Sequence, residues 1–214
     1  MYINTANRSI ESSLKSLDTI YPWVKKKEYF QAFSKWRNFF LIPNRHEAHK
    51  IGVLYVGPGQ SNNEQAILAN PFGSLRYTDF LHGLGSLICL RDVDRKTTFL
   101  GGLNPEEGDG DYAYMWEDDL MQVIFHVATL MPNHPETDPK CNKKKRHIGN
   151  DFVAIVYNNA GGNQGYTPGT VKGQFIHACV VITPLDQGSN RVEIQCKPEL
   201  EEPLEHIKVG HVIF

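Results

Sequence analysis

Short apolar runs rich in β-formers, separated by helical stretches, constrain this chain more than any other feature. The first is Ile51-Gly52-Val53-Leu54-Tyr55-Val56, closed by the turn Gly57-Pro58-Gly59. Leu87-Ile88-Cys89-Leu90, Phe152-Val153-Ala154-Ile155-Val156-Tyr157, Phe175 to Pro184 and Arg191 to Lys197 follow. Such runs read as strands. Met121 to Leu130 reads as a central strand, with a buried helix as the alternative, and His126 inside it as a core histidine. Between the first two runs, Ser61-Asn62-Asn63-Glu64 has a capping-box pattern and predicts a helix through Ile67 and Leu68. Ser74 can cap a second helix, with Tyr77, Phe80, Leu81 and Leu84 on one side and Gly85 ending it. Strands alternating with helices predict an α/β sheet.

The remaining segments are polar or of other character. Residues 1–44 read as helical: Ile10, Leu14, Leu17 and Tyr21 recur at helical spacing up to Pro22, and Tyr29, Ala32, Phe33, Trp36, Phe39 and Phe40 precede Pro43. That aromatic face either packs on the main core or forms a partner or dimer surface. Between Asn104 and Asp119 stand seven acids and no Lys or Arg, with Tyr112, Tyr114 and Trp116 alternating as on a half-exposed strand. No calcium-loop spacing is present, so this stretch reads as a solvated loop or hairpin. Asn158 to Gly169 reads as a mobile loop. Val192, Ile194 and Cys196 alternate with Arg191, Glu193 and Gln195, as on an edge or one-side-exposed strand, and the tail from Glu199 is acidic without a strong period.

Composition excludes several classes. The net charge of −2 over 214 residues gives no reason to expect a nucleic-acid partner. No apolar run reaches membrane-spanning length and no apolar leader opens the chain, so neither a transmembrane segment nor a signal peptide is expected. Cys89, Cys141, Cys179 and Cys196 lack C-x-x-C spacing and read as reduced thiols of a cytoplasmic protein. There is no nucleophile elbow, phosphate loop or zinc-binding spacing, so no metal and no cofactor is expected.

One polar stretch invites a functional reading. Lys143-Lys144-Lys145-Arg146-His147-Ile148-Gly149-Asn150-Asp151 runs directly into the strand at Phe152. As a helix over 142–150 it would place Lys143, Arg146, His147 and Asn150 on one face. Its basic cluster would lie at the end disfavoured by the helix dipole, and Gly149 would weaken it further while letting another backbone come close. Local disadvantage of this kind marks candidate functional elements. The alternative is a solvated basic face with Asn150 as a left-handed cap.

The stretch Lys145-Arg146-His147-Ile148-Gly149-Asn150-Asp151, followed by its apolar strand, resembles the catalytic signature of the Rap-type GTPase-activating proteins. Lys50–Val56, Gly73-Ser74 with Tyr77, Phe80-Leu81, Leu84-Gly85, Leu100-Gly101-Gly102-Leu103 and Val123–Pro132 match in order, so that the resemblance covers about residues 46–197. Val56–Glu64, Gly173-Gln174-Phe175 and Thr183-Pro184-Leu185-Asp186 resemble the tuberin branch more than the Rap or Ral branches. The resemblance implies a G-domain-like α/β catalytic domain over 46–214, with a central mixed sheet flanked by helices, and a small N-terminal helical, dimerisation-type segment over 1–45. It implies stimulation of GTP hydrolysis on a Ras-like small GTPase that brings its own GTP and Mg²⁺, with Rheb expected and Rap or Ral as alternatives; a non-catalytic dimerisation or scaffold module is the alternative function. Asn150 would be the asparagine thumb, orienting the attacking water. His147 would position the helix, and Lys143, Lys144, Lys145, Arg146, Gly149 and Asp151 would contact the GTPase. Arg146 is assigned to binding, since the family uses no arginine finger. A hamartin-like partner, a possible homodimer, a role in TOR signalling, and recruitment from the cytoplasm to lysosomal or vacuolar membranes are further implications. Family members carry helical sequence after the last strands, and Glu199–Phe214 departs from this.

Overall fold

A computed structural model describes residues 47–118, 120–161, 166–167, 169–198 and 211–213. The helices expected over residues 1–44, part of the loop between Asn158 and Gly169 and most of the acidic tail from Glu199 lie outside the described residues.

The apolar runs form one eight-stranded mixed sheet in the order β2-β3-β4-β1-β5-β6-β7-β8. Its strands are β1 (Glu47–Val56), β2 (Ser86–Cys89), β3 (Tyr112–Glu117), β4 (Met121–Val127), β5 (Val153–Asn158), β6 (Ala178–Pro184), β7 (Asn190–Cys196) and β8 (His211–Ile213). The middle four, β4, β1, β5 and β6, run parallel. Antiparallel strands complete both flanks. The helices are α1 (Glu64–Leu68), α2 (Leu75–Leu84) and α3 (Asn142–Gly149).

Parallel strands need long crossovers, and helices on both faces bury them completely. This is why the Ile51–Val56 part of β1 and Val153–Tyr157 of β5 carry no charged side chain and are buried throughout. Ile51, Val53 and Tyr55 of β1, with Val153, Ile155 and Tyr157 of β5, pack on one face with Tyr77, Leu81 and Leu84 of α2. Leu54 and Val56, with Ala154 and Val156, pack on the opposite face against Ile67 and Leu68 of α1 and Ile148 of α3. Full burial of a side chain of this size contributes about 1.5–3 kcal/mol. Helix α2 begins as its sequence predicts, Ser74 accepting from the Tyr77 N–H, and Gly85 follows its last residue.

Four expectations need correction. The N-cap of α1 is Asn63, whose side chain accepts from the Ala66 N–H, and Ser61 is a buried residue two positions earlier. Strand β3 is buried on both faces at Ala113, Tyr114 and Met115, because α2 and the 90–103 loop cover opposite sides. The sixth strand begins at Ala178, since Phe175 is drawn aside by a bond from its N–H to the Gly149 carbonyl. Of the two settings expected for β7, edge or one-side-exposed, the edge is covered at Asn190, Arg191 and Val192, where β8 pairs with it.

Helix α3 is the crossover between β4 and β5. It lies over β1 at Gly52, the one place on that strand with no side chain in the way. A Cβ there would meet Ile148 at 3.0 Å and Asp151 at 3.3 Å. The strand register sets His126 beside Gly52, within reach of the end of α3.

Candidate functional site

Helix α3 starts without a side-chain cap of its own, because Cys141 at the N-cap sits in the left-handed region at φ 54°. Asp138 does the capping instead. Its Oδ1 accepts from the Asn142 N–H and its Oδ2 from the Lys143 N–H, each at 2.8 Å. These two bonds, the Lys143 one foremost, hold its carboxyl below the usual aspartate range. A carboxylate thus stands at the positive end of the helix, offsetting the basic run behind it.

The four basic side chains are tied back into the molecule one by one. Lys143 donates from Nζ to the Glu107 carbonyl at 2.8 Å. Lys144 is 2% exposed and donates from Nζ to the Leu68 carbonyl at 2.9 Å. It thereby satisfies a terminal carbonyl of α1, and burial pushes its ammonium down to about 8. Lys145 pairs with Glu64 at 3.0 Å. Arg146 reaches Glu107 at 3.7 Å across an exposed surface.

Beneath the helix lie two histidine–carboxylate pairs. His147 Nε2 stands 3.0 Å from Asp109 Oδ1, both residues buried, at an angle that departs from hydrogen-bond alignment. The other oxygen of Asp109 accepts from the Asn104 N–H at 2.9 Å. Burial lowers the His147 pKa, with Asp109 opposing the shift. His126 Nδ1 stands 2.9 Å from Asp151 Oδ2, and Lys50 approaches the other Asp151 oxygen at 3.7 Å. The two imidazoles meet edge to face at 5.2 Å. Together the pairs fasten α3 to β4, β1 and the 104–109 loop.

Asn150 closes the helix at φ −97°, ψ 3°, so the left-handed cap considered for it does not form. Its backbone N–H bonds to the His147 carbonyl, while its carboxamide is exposed and makes no hydrogen bond to the described residues. Lys143, Arg146 and Asn150 are exposed; His147 is turned inward, so the four do not share one solvent face.

Three of the residues expected at the partner contact are buried in this chain. Lys144 is spent on α1, Asp151 is fully enclosed with His126, and Gly149 is covered by Gly173 of the same chain. Two contributors had no motif to announce them. Asp138 precedes the signature, and Asp109 belongs to the acidic stretch read as solvated. Among the described residues no cluster of three potential metal ligands occurs. None of their helices is long and apolar enough to cross a membrane.

Known proteins resemble this chain in sequence and fold. The sequence model of the Rap/ran-GAP family matches residues 67–213. The tuberous sclerosis 2 protein homolog of Schizosaccharomyces pombe is 44% identical over 152 residues, covering 71% of this chain and 11% of that protein. The mouse Ral GTPase-activating protein subunit alpha-2 is 36% identical over 154 residues, covering 72% of this chain and 8% of that protein. This chain therefore spans about a tenth of the length of these relatives. The solved structure of the TSC2 GAP domain superposes with a TM-score of 0.69 at 37% identity, covering 78% of this chain and 86% of that one. Fold, signature helix and relatives agree: this chain belongs to the Rap/ran-GAP family of GTPase-activating domains and is tuberin-like within it.

Proposed function

We propose that this chain accelerates GTP hydrolysis by the small GTPase Rheb, presenting Asn150 to the nucleotide as an asparagine thumb. The observation that carries this reading is the contrast within α3. Lys143, Lys144, Lys145, Arg146 and His147 are engaged with their own chain, whereas the Asn150 carboxamide at the end of the helix is exposed and makes no hydrogen bond to the described residues. An amide suits the task. Its oxygen accepts from the attacking water while its NH₂ donates toward the γ-phosphate. A helix held along its length delivers that group with little reorganisation, which is how positioning lowers a barrier.

His147 acts on the helix from inside and orients the thumb. Arg146 is paired with Glu107 and serves the rim of the interface, as do Lys143 and Lys145, where charge guides encounter more than it adds affinity. The GTP and Mg²⁺ come with the GTPase. The relatives support the tuberin branch, and the resemblance to that branch implies Rheb as substrate, a hamartin-like partner for a longer protein, a role restraining TOR signalling, and recruitment from the cytoplasm to lysosomal or vacuolar membranes. Residues 1–45 are proposed as part of a dimerisation-type subdomain preceding the catalytic unit.

Identity to the Ral-activating subunits over nearly the same stretch supports a second reading, in which Ral is the substrate. Single-turnover hydrolysis on purified GTP-loaded Rheb, Rap and Ral separates the two. Stimulation of about 10³-fold or more is expected on Rheb, within the range known for such activators. A larger effect on Ral or Rap reassigns the substrate, and none on any of the three removes the proposed activity.

A further inference from the structure

The signature helix accounts for the thumb but not for what stands behind it. The last turn of α3 is met from outside by Lys172, Gly173, Gln174 and Phe175, more than twenty residues further along the chain. The contact is glycine on glycine. A Cβ built on Gly173 would lie 2.7 Å from both the Cα and the carbonyl oxygen of Gly149, distances that real side chains do not adopt. A Cβ on Gly149 would in turn lie 3.3 Å from the Gly173 Cα. The Phe175 N–H donates to the Gly149 carbonyl at 3.3 Å, using an acceptor that the helix end leaves open. The segment is fixed at its other end by Glu64. One oxygen of Glu64 accepts from the Lys172 N–H at 2.6 Å, and the other holds Lys145 of α3. Thr170 Oγ1 also donates to the Ser61 carbonyl.

We propose that Lys172–Phe175 is a positioning arm for Asn150, held against the helix end by the Gly149–Gly173 contact and clamped to it through Glu64. This rests on the thumb reading and goes beyond it. The residue that performs the chemistry follows immediately after Gly149, so a displacement there is passed on with nothing to absorb it. The histidine–carboxylate pairs hold α3 from below. The arm is what meets its last turn from the opposite side. Its other side lines an open cavity of about 520 Å³ with Val171, Ile176 and Cys179. Added bulk at position 173 therefore drives the arm outward, and the Phe175–Gly149 bond opens. A shift of the order of 1 Å at a positioned group costs up to about a hundredfold in rate.

The test compares Gly173→Ala, Glu64→Ala, Asn150→Ala and Gly83→Ala with the unaltered chain. Glu64→Ala releases the clamp without adding atoms, and therefore carries the test if Gly173→Ala does not fold. Gly83 lies on α2 with nothing within 4 Å of its added Cβ, so its variant is expected to match the parent. Stimulated single-turnover hydrolysis is read as a maximal rate and a half-saturating concentration. Amide hydrogen exchange at Asn150 is read on the isolated protein. Gly173→Ala is expected to lower the maximal rate about tenfold, leave the half-saturating concentration within about threefold, and speed Asn150 exchange at unchanged Tm. Glu64→Ala is expected to do the same more weakly. Loss of stimulation in Asn150→Ala, together with unaltered maximal rates in both arm variants, overturns the arm and leaves the thumb standing. Undiminished stimulation by Asn150→Ala overturns the thumb reading itself. Unaltered Asn150 exchange in both arm variants overturns the arm without reference to any GTPase.

Discussion

At the residue scale, the site depends on side chains whose partners are far away in sequence. His147 is legible as part of a motif, but its carboxylate is not. Asp109 sits among six other acids, and only the fold buries it against α3. The His147 pKa is lowered chiefly by burial, so the folded state favours the neutral imidazole. The unfolded chain then binds a proton more readily in the interval below the ordinary histidine value near 6.5. Stability is accordingly full above that value and is lost as pH falls through the interval. Thermal unfolding of the parent and of His147→Gln at pH 7.5 and 5.5 checks the sign. The parent is expected to lose more in Tm than the variant on acidification. An equal loss in both would mean that His147 does not contribute.

At the element scale, α3 shows what periodicity conveys and what it omits. The helix over 142–150 and the strand after it follow from residue types and spacing. The direction in which each lysine points does not, because a lysine's aliphatic stem suits burial as well as exposure. Lys144 is the clearest case: of three consecutive lysines it is the buried one, bonded to the last carbonyl of α1. Asp138 was illegible for a different reason, since the chain turns back through a left-handed Cys141 before the helix begins. Lys144→Ala removes the partner of the Leu68 carbonyl and empties the space of the stem. A loss of about 2–3 kcal/mol in urea unfolding is expected, with no change in half-saturating concentration beyond about twofold. A stable variant with weakened GTPase binding would instead return Lys144 to the interface.

At the scale of the whole molecule, the sheet was largely readable and the site was half readable. Runs such as Ile51–Val56 and Val153–Tyr157 announce parallel strands because burial on both faces leaves no polar alternation to confuse the signal. The strand at His211–Ile213 was not announced, since three residues are too few to show a period. The convergence of Asp109, His126, Asp151 and the Gly173 arm around α3 is set by the sheet order and not by spacing along the chain. The result is a support that presents the Asn150 amide at its exposed end, and the central claim is that this amide completes a catalytic centre belonging to another protein. Asn150→Ala tests this most directly, assayed by single-turnover hydrolysis on GTP-loaded Rheb, with unfolding and GTPase binding followed on the same preparation. The account expects hydrolysis to return to near the intrinsic rate of the GTPase, while Tm stays within about 2 °C and binding persists. Stimulation within about twofold of the unaltered chain would contradict it.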